Sequence, residues 1–283
     1  MREVKTVAVL GAGTMGHGIA HAAATSGFET RLFDVNAGQL TKARAAVDAV
    51  LMKSVELGKA TAADVDASAK RLTTTTELAQ ALDGCDLVIE AAPERMDLKL
   101  SLLSDVDRLA PPSAVVATNT SALSITEMAG VLKNPSRVGG MHFFNPVHKM
   151  KLIEIVRALE SSAETLETIE AVSRRMGKET VLVRESPGFI TSRVNASIGN
   201  EAFFMLMEGV ASARDIDKAL KLGLNHPMGP FELVDLVGLD TRLSILEYLH
   251  RSLGEKYRPC PLLAQYVKAG RLGKKVGKGV YEY

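Results

Sequence analysis

The chain has 283 residues, 46% of them hydrophobic and 24% charged, which is long enough for two globular domains and ordinary for a protein with buried cores. Lys and Arg number 34 against 33 Asp and Glu, which argues against a dedicated nucleic-acid or membrane-surface protein, because both need a basic excess. A local basic patch for a phosphorylated ligand remains compatible with that balance.

Taken in order, short β-branched runs at 4–10, 29–34, 86–92, 114–119, 138–144, 152–156 and 180–183 predict strands, and patterns such as 38–57 and 98–109 predict the helices between them. Leu87-Val88-Ile89 is apolar on successive residues, as a strand covered on both faces should be. The alternation predicts an α/β fold, a mostly parallel sheet with helices on both faces. After Arg184 the texture changes. Glu185-Ser186-Pro187-Gly188 reads as a break, with Pro187 suited to the first turn of a new helix, and the periodicity from Phe189 onward is helical. The expected division is a first domain over 1–185 and an all-helical second domain over 186–283. Phe204, Met205, Leu206 and Met207 crowd one helix, which predicts a buried helix or one at a subunit interface.

Cys85 and Cys260 stand far apart with no metal-ligand pattern and read as unpaired thiols of a reducing compartment. No secretory pattern precedes the strand signal that begins by Val4, and no uncharged apolar run approaches the roughly 20 residues of a spanning helix. The expectation is a soluble, cytoplasmic protein.

The first predicted strand runs into Gly11-Ala12-Gly13-Thr14-Met15-Gly16, and a helical pattern follows. Spaced glycines alone are a weak signal, but this string sits between a strand and a helix. Gly11 allows the tight turn, Gly13 lets backbone amides approach a pyrophosphate, and Gly16 permits close helix–strand contact, the layout of a Rossmann-type dinucleotide site. The second strand ends in Leu32-Phe33-Asp34, 18 residues beyond Gly16. A carboxylate there accepts from ribose hydroxyls and repels a 2′-phosphate, which favours NAD over NADP.

Of the six histidines, His142 closes the predicted strand at 138–144 and opens His142-Phe143-Phe144-Asn145-Pro146. Residues at the carboxyl ends of strands face the ligand crevice in this architecture. Twelve residues on, Glu154 sits inside Leu152-Ile153-Glu154-Ile155-Val156, where a buried carboxylate needs a partner. Spacing leaves two readings open: a His–Glu pair, or a structural histidine beside an unrelated glutamate. Ser121, in Asn119-Thr120-Ser121, is either a donor to a substrate oxygen or the N-cap of the next helix. His17, His21 and His250 read as structural or solvated, and His226 as a loop residue with no chemical role; His148 competes with His142 but lies beyond Pro146 in a loop and not at a strand end.

Together these residues resemble the L-3-hydroxyacyl-CoA dehydrogenase family and its short-chain 3-hydroxybutyryl-CoA branch, over essentially the whole chain. The anchors are GAGTMG at 11–16, EAAPE at 90–94, ATNTS at 117–121, HFFNPV at 142–147, KLIEIV at 151–156 and HPMGPFELVDLVGLD at 226–240. The pair HFFNPV and KLIEIV is the most specific of them. The resemblance implies His142 as general base, Glu154 as its carboxylate partner and Ser121 as the hydroxyl on the substrate oxygen. It implies an NAD site lined by Gly11, Ala12, Gly13, Thr14, Met15, Gly16, Asp34, Glu94, Lys99, Asn119, Ser121 and Asn145. It places Lys53, with Lys59 as a second, near the CoA phosphates, and implies a homodimer through the helical domain. There is one departure: Ser192 stands where the family carries an Asn that helps bind the substrate carbonyl, and Asn195 lies about one helical turn on.

The implied reaction oxidises a 3-hydroxyacyl-CoA, an acyl-CoA small molecule, with NAD as cofactor and no metal. Two alternatives are a β-hydroxyacid dehydrogenase acting on a free acid, whose active site is built on a Lys, and a non-catalytic relative such as λ-crystallin.

Overall fold

The computed structural model describes residues 3–283, which divide into two compact units, one ending at Glu185 and the other running from Ser186 to Tyr283. The first unit opens with β1 (Thr6–Leu10), α1 (Thr14–Thr25), β2 (Glu29–Phe33), α2 (Ala37–Glu56), α3 (Ala62–Arg71), β3 (Leu72–Thr75) and α4 (Leu78–Leu82). It continues with β4 (Leu87–Glu90), α5 (Met96–Leu109), β5 (Val115–Thr118), α6 (Ile125–Ala129), β6 (Val138–Phe143), β7 (Leu152–Arg157), α7 (Ala163–Arg175) and β8 (Glu179–Arg184).

The eight strands form one sheet in the order β3-β2-β1-β4-β5-β6-β7-β8. All neighbours are parallel except β6 and β7, which run antiparallel. Sheet order reverses between β1 and β4, so their carboxyl ends open a crevice where ligands bind in such sheets. Leu87, Val88 and Ile89 on β4 are fully buried, as strands covered on both faces require. One strand, β3, is not foreshadowed in the sequence. It pairs only with β2, at the sheet edge, and of its four residues only Leu72 is buried, so Leu72-Thr73-Thr74-Thr75 carries almost no apolar signal. The antiparallel β6–β7 pair is the one exception in the mostly parallel sheet among the described residues. Only eight residues separate Phe143 from Leu152, too few for the crossover that a parallel neighbour needs.

The core of the first unit joins Val7, Val9, Leu32, Leu87 and Ile89 to Ile19, Ala20 and Ala23 of α1 and to Ile169 and Val172 of α7. Burying a side chain of Val, Leu or Ile size stabilises the fold by about 1.5–3 kcal/mol relative to exposure.

The second unit holds α8 (Thr191–Met207), α9 (Ala213–Gly223), α10 (Pro230–Val237), α11 (Leu239–Leu253) and α12 (Pro261–Lys268). Pro187 lies in a turn before the first of these, which begins four residues later with Phe189 at φ 48° ahead of it, so this proline is not in the first helical turn. Phe203 of α8 meets Phe231 edge-on at 5.2 Å between ring centroids and is fully buried. Phe204, Met205 and Leu206 are only half-buried and Met207 is exposed, so the expected buried helix is covered on one side only within this unit. Two buried aspartates fasten the end of the chain. Asp235 accepts from Val280 N, Tyr281 N and Tyr283 Oη, and Asp217 from Phe231 N, Glu232 N and Tyr281 Oη. Each buried carboxylate is thereby compensated, which burial of a charge demands. Among the described residues no helix is long and apolar enough to cross a membrane.

Candidate active site

The glycine turn forms at the carboxyl end of β1. Gly11 has φ +103°, and a Cβ there would lie 2.7 Å from Ala91 O; a Cβ on Gly16 would lie 1.7 Å from Gly11 O. Both positions therefore exclude any side chain. Gly13 is different: nothing stands within 4 Å of its would-be Cβ, and it caps α1 without a side-chain hydrogen bond. The first amides of α1, at Thr14, Met15 and Gly16, lack carbonyl partners within the helix, and the helix dipole adds partial positive charge there. Open space before unsatisfied amides fits a pyrophosphate.

Asp34 follows β2 and fixes the rim of this turn. Its Oδ2 accepts from Ala12 N at 2.8 Å and its Oδ1 from Asn36 N at 2.9 Å. Each carboxylate oxygen keeps a second lone pair for a ribose hydroxyl. Gln39 Nε2 adds a bond to Ala12 O at 2.8 Å, a support that sequence reading did not single out.

His142 and Glu154 are register partners across the antiparallel β6–β7 ladder, and His142 Nδ1 lies 2.7 Å from Glu154 Oε2. Both are buried, Glu154 completely. A carboxylate can only accept, so Nδ1 carries the proton and the ring's basic lone pair is on Nε2. Phe144 covers the imidazole at 4.5 Å between centroids. Asn119 Oδ1 accepts from Phe143 N at 2.9 Å, which ties the end of β5 to the strand that carries His142.

Ser121 lies in the bend after β5, and its amide donates to Glu94 Oε1 at 2.8 Å. Helix α6 is capped by Ser124, whose side chain accepts from Glu127 N, so capping is not the role of Ser121. Glu94 Oε1 also accepts from Thr120 Oγ1 at 2.6 Å. Lys99 is buried on α5 with Nζ donating to Glu90 Oε1 at 2.7 Å, Glu90 Oε2 at 2.8 Å and Ala92 O at 3.1 Å. It stands behind Glu94, its Nζ 3.5 Å from Glu94 Oε2. Glu90 and Thr118, whose hydroxyl donates to Glu90 Oε2 at 2.6 Å, were not anticipated. The signal for Glu90 was close to the one that marked Glu154: a carboxylate attached to an apolar run, here at the end of Leu87-Val88-Ile89-Glu90 and not inside it.

The remaining expected residues are spread out. Asn145 is exposed in the turn after β6. Lys53 sits in the last turn of α2 with its Nζ 2.8 Å from Glu56 Oε2, and Lys59 is exposed in the turn beyond. Ser192 and Asn195 are half-buried on α8 of the second unit. His17 Nδ1 bonds Gly13 O at 2.9 Å, and His250 Nε2 lies 3.1 Å from Glu255 Oε1. Burial, reinforced by His148, Lys178 and His17, pushes the pKa of His21 down to about 4.

Comparison with known proteins bears on this geometry. Residues 6–186 match the family description 3-hydroxyacyl-CoA dehydrogenase, NAD binding domain, and residues 188–283 its C-terminal domain. A probable 3-hydroxybutyryl-CoA dehydrogenase of Bacillus subtilis is 47% identical over 282 residues, covering 99% of this chain and 98% of the relative. A 3-hydroxybutyryl-CoA dehydrogenase of Bradyrhizobium diazoefficiens is 41% identical, covering 99% and 96%. The crystal structure of (S)-3-hydroxybutyryl-CoA dehydrogenase from Ralstonia eutropha superposes with a TM-score of 0.95 at 41% identity, covering 99% of each chain.

Proposed function

The chain belongs to the 3-hydroxyacyl-CoA dehydrogenase family, and on that premise we propose that it interconverts (S)-3-hydroxybutyryl-CoA and acetoacetyl-CoA with NAD, using His142, Glu154 and Ser121. The observation that carries the reading is the buried His142–Glu154 pair, 2.7 Å apart at the carboxyl end of β6.

NAD, bound over the glycine turn, supplies the acceptor for the hydride from C3. His142 Nε2 takes the proton of the 3-hydroxyl. Glu154 holds Nδ1–H, fixes the tautomer that leaves Nε2 basic, and stabilises the imidazolium that forms. The Ser121 hydroxyl donates to the substrate oxygen and keeps it in line with Nε2. General-base assistance contributes about 10²–10⁴-fold, and positioning against the cofactor supplies the rest.

Gly11 to Gly16, Asp34, Glu94, Asn119 and Asn145 line the cofactor site, with Lys99 acting from behind Glu94. Lys53 and Lys59 meet the CoA phosphates, and Ser192 approaches the thioester side of the substrate. The two units act as an NAD-binding domain and a domain for substrate and self-association. Exposed Leu222, Leu224, Leu236 and Val276 on the second unit support a homodimer, and the protein works in solution in the cytoplasm.

The deciding experiment is a panel of acetoacetyl-CoA and longer 3-ketoacyl-CoAs with NADH and NADPH, beside free 3-hydroxy acids with NAD+ and NADP+. Turnover of acetoacetyl-CoA with NADH above all others is the expected result. Turnover of free acids alone would establish the β-hydroxyacid alternative, and no turnover of any substrate would establish a non-catalytic relative.

A further inference from the structure

The end of β4 carries a second buried acid that this reaction scheme does not use. Glu90 is fully buried, and its carboxylate accepts from Ala92 N at 2.6 Å and Thr118 Oγ1 at 2.6 Å as well as from Lys99 Nζ. Lys99 is 1% exposed, whereas the Glu94 side chain, its Oε2 3.5 Å from the ammonium, is 42% exposed. One cation is thus shared, unequally, by two carboxylates, and the group carries one net negative charge.

A buried ion pair seldom stabilises a fold more than apolar side chains of the same volume would, so Glu90–Lys99 calls for a reason beyond stability. Geometry supplies one. Glu90 takes both oxygens' worth of bonds from Lys99, while Glu94 stays at 3.5 Å and gives its Oε1 to Thr120 and Ser121. Without the charge on Glu90, the nearest anion for the buried ammonium is Glu94. Lys99 would then neutralise Glu94 and draw it away from the Ser121 amide.

We infer that Glu90 is a positioning residue that keeps Lys99 committed away from Glu94, leaving the negative charge of the group on Glu94, where it favours the cationic oxidised nicotinamide over the neutral reduced one. The inference rests on the assignment of Glu94 to the cofactor site in the proposed function.

The test is equilibrium binding of NAD+ and NADH to the full-length wild type and to E90Q, E94Q and the double variant E90Q/K99M. E90Q leaves Lys99 to cancel Glu94, so the ratio of the NAD+ Kd to the NADH Kd should rise about tenfold, the order of one unit charge at a partly buried site. E94Q should raise it similarly. E90Q/K99M removes both buried charges but keeps Glu94 ionised, so its ratio should return to within about twofold of wild type, and removal of both partners is the change a fold tolerates. A purely structural role would weaken both cofactor forms together and would not be reversed by the second substitution. An unmoved ratio in E90Q, or an equal shift in the double variant, overturns the inference. Should E90Q fail to fold, E94Q and the double variant decide it: an unmoved ratio in the first or a shifted one in the second overturns it. Wild type that binds neither form would instead overturn the cofactor site itself, and the inference with it.

Discussion

Glu154 stands opposite His142 across the only antiparallel step in the sheet among the described residues, its Oε2 2.7 Å from Nδ1, with both side chains buried. The pair is made by strand register, and its chemistry follows from the carboxylate being able only to accept.

His142→Ala should lower kcat by about a hundredfold or more while NADH binding stays near wild type. Glu154→Gln probes the partner's charge: a neutral amide can hold Nδ1–H through its Oε1 or donate to Nδ1, but in neither arrangement does it stabilise the imidazolium. It should lose a similar factor with little change in KM. Steady-state kinetics with acetoacetyl-CoA check both, and a His142→Ala variant keeping more than about a tenth of the rate refutes the assignment.

Asp34 predicts cofactor choice. Wild type should prefer NADH, and Asp34→Ser should narrow that preference by relieving repulsion of a 2′-phosphate. Because Asp34 also holds Ala12 N and Asn36 N, the variant should weaken NADH binding as well. Catalytic efficiencies with both cofactors decide it; equal efficiencies in wild type would falsify the reading.

Lys53→Glu should raise the KM for acetoacetyl-CoA, with an effect that shrinks as salt rises, because the side chain is exposed and its charge screened. A thioester lacking the nucleotide part is the control. Equal losses with both substrates would point to a folding defect.

Ser192→Ala should cost about 1 kcal/mol or less in transition-state stabilisation, as expected for one neutral hydrogen bond. Ser192→Asn, which restores the family's residue, should be tolerated. A loss of roughly a hundredfold in the alanine variant would mean that this serine does the asparagine's work directly.

His21 gives the protein an acid limit. Its folded pKa lies near 4 against 6.5 for the free side chain, mainly from burial and then from His148, Lys178 and His17. Between those values the unfolded chain binds the extra proton, so stability is intact above pH 6.5 and falls as pH drops toward 4. The loss should reach roughly 2–3 kcal/mol, and His21→Gln should flatten it. Thermal melts from pH 7 to pH 4 test this; an unchanged slope in the variant would exclude His21 as the cause.

Much of the fold was legible in sequence because its signals are local. Gly11 and Gly16 allow no Cβ, and a run such as Leu87-Val88-Ile89 can be satisfied only under cover on both faces. β3 escaped because an edge strand with one buried residue needs no apolar pattern. Ser121 stayed ambiguous until the structure gave the cap of α6 to Ser124.

By itself the sequence determined the α/β alternation, the nucleotide turn, the helical last third and, through its motifs, the family. Those depend on residue type and near-neighbour spacing. Tertiary structure alone decided which distant groups share a charge. The antiparallel turn after β6 brings Glu154 to His142 across twelve residues, and the ends of β4 and β5 bring Glu90, Lys99, Glu94 and Ser121 into one network. Such pairings follow from strand order and register, which long-range burial sets, so no local pattern of residues can encode them.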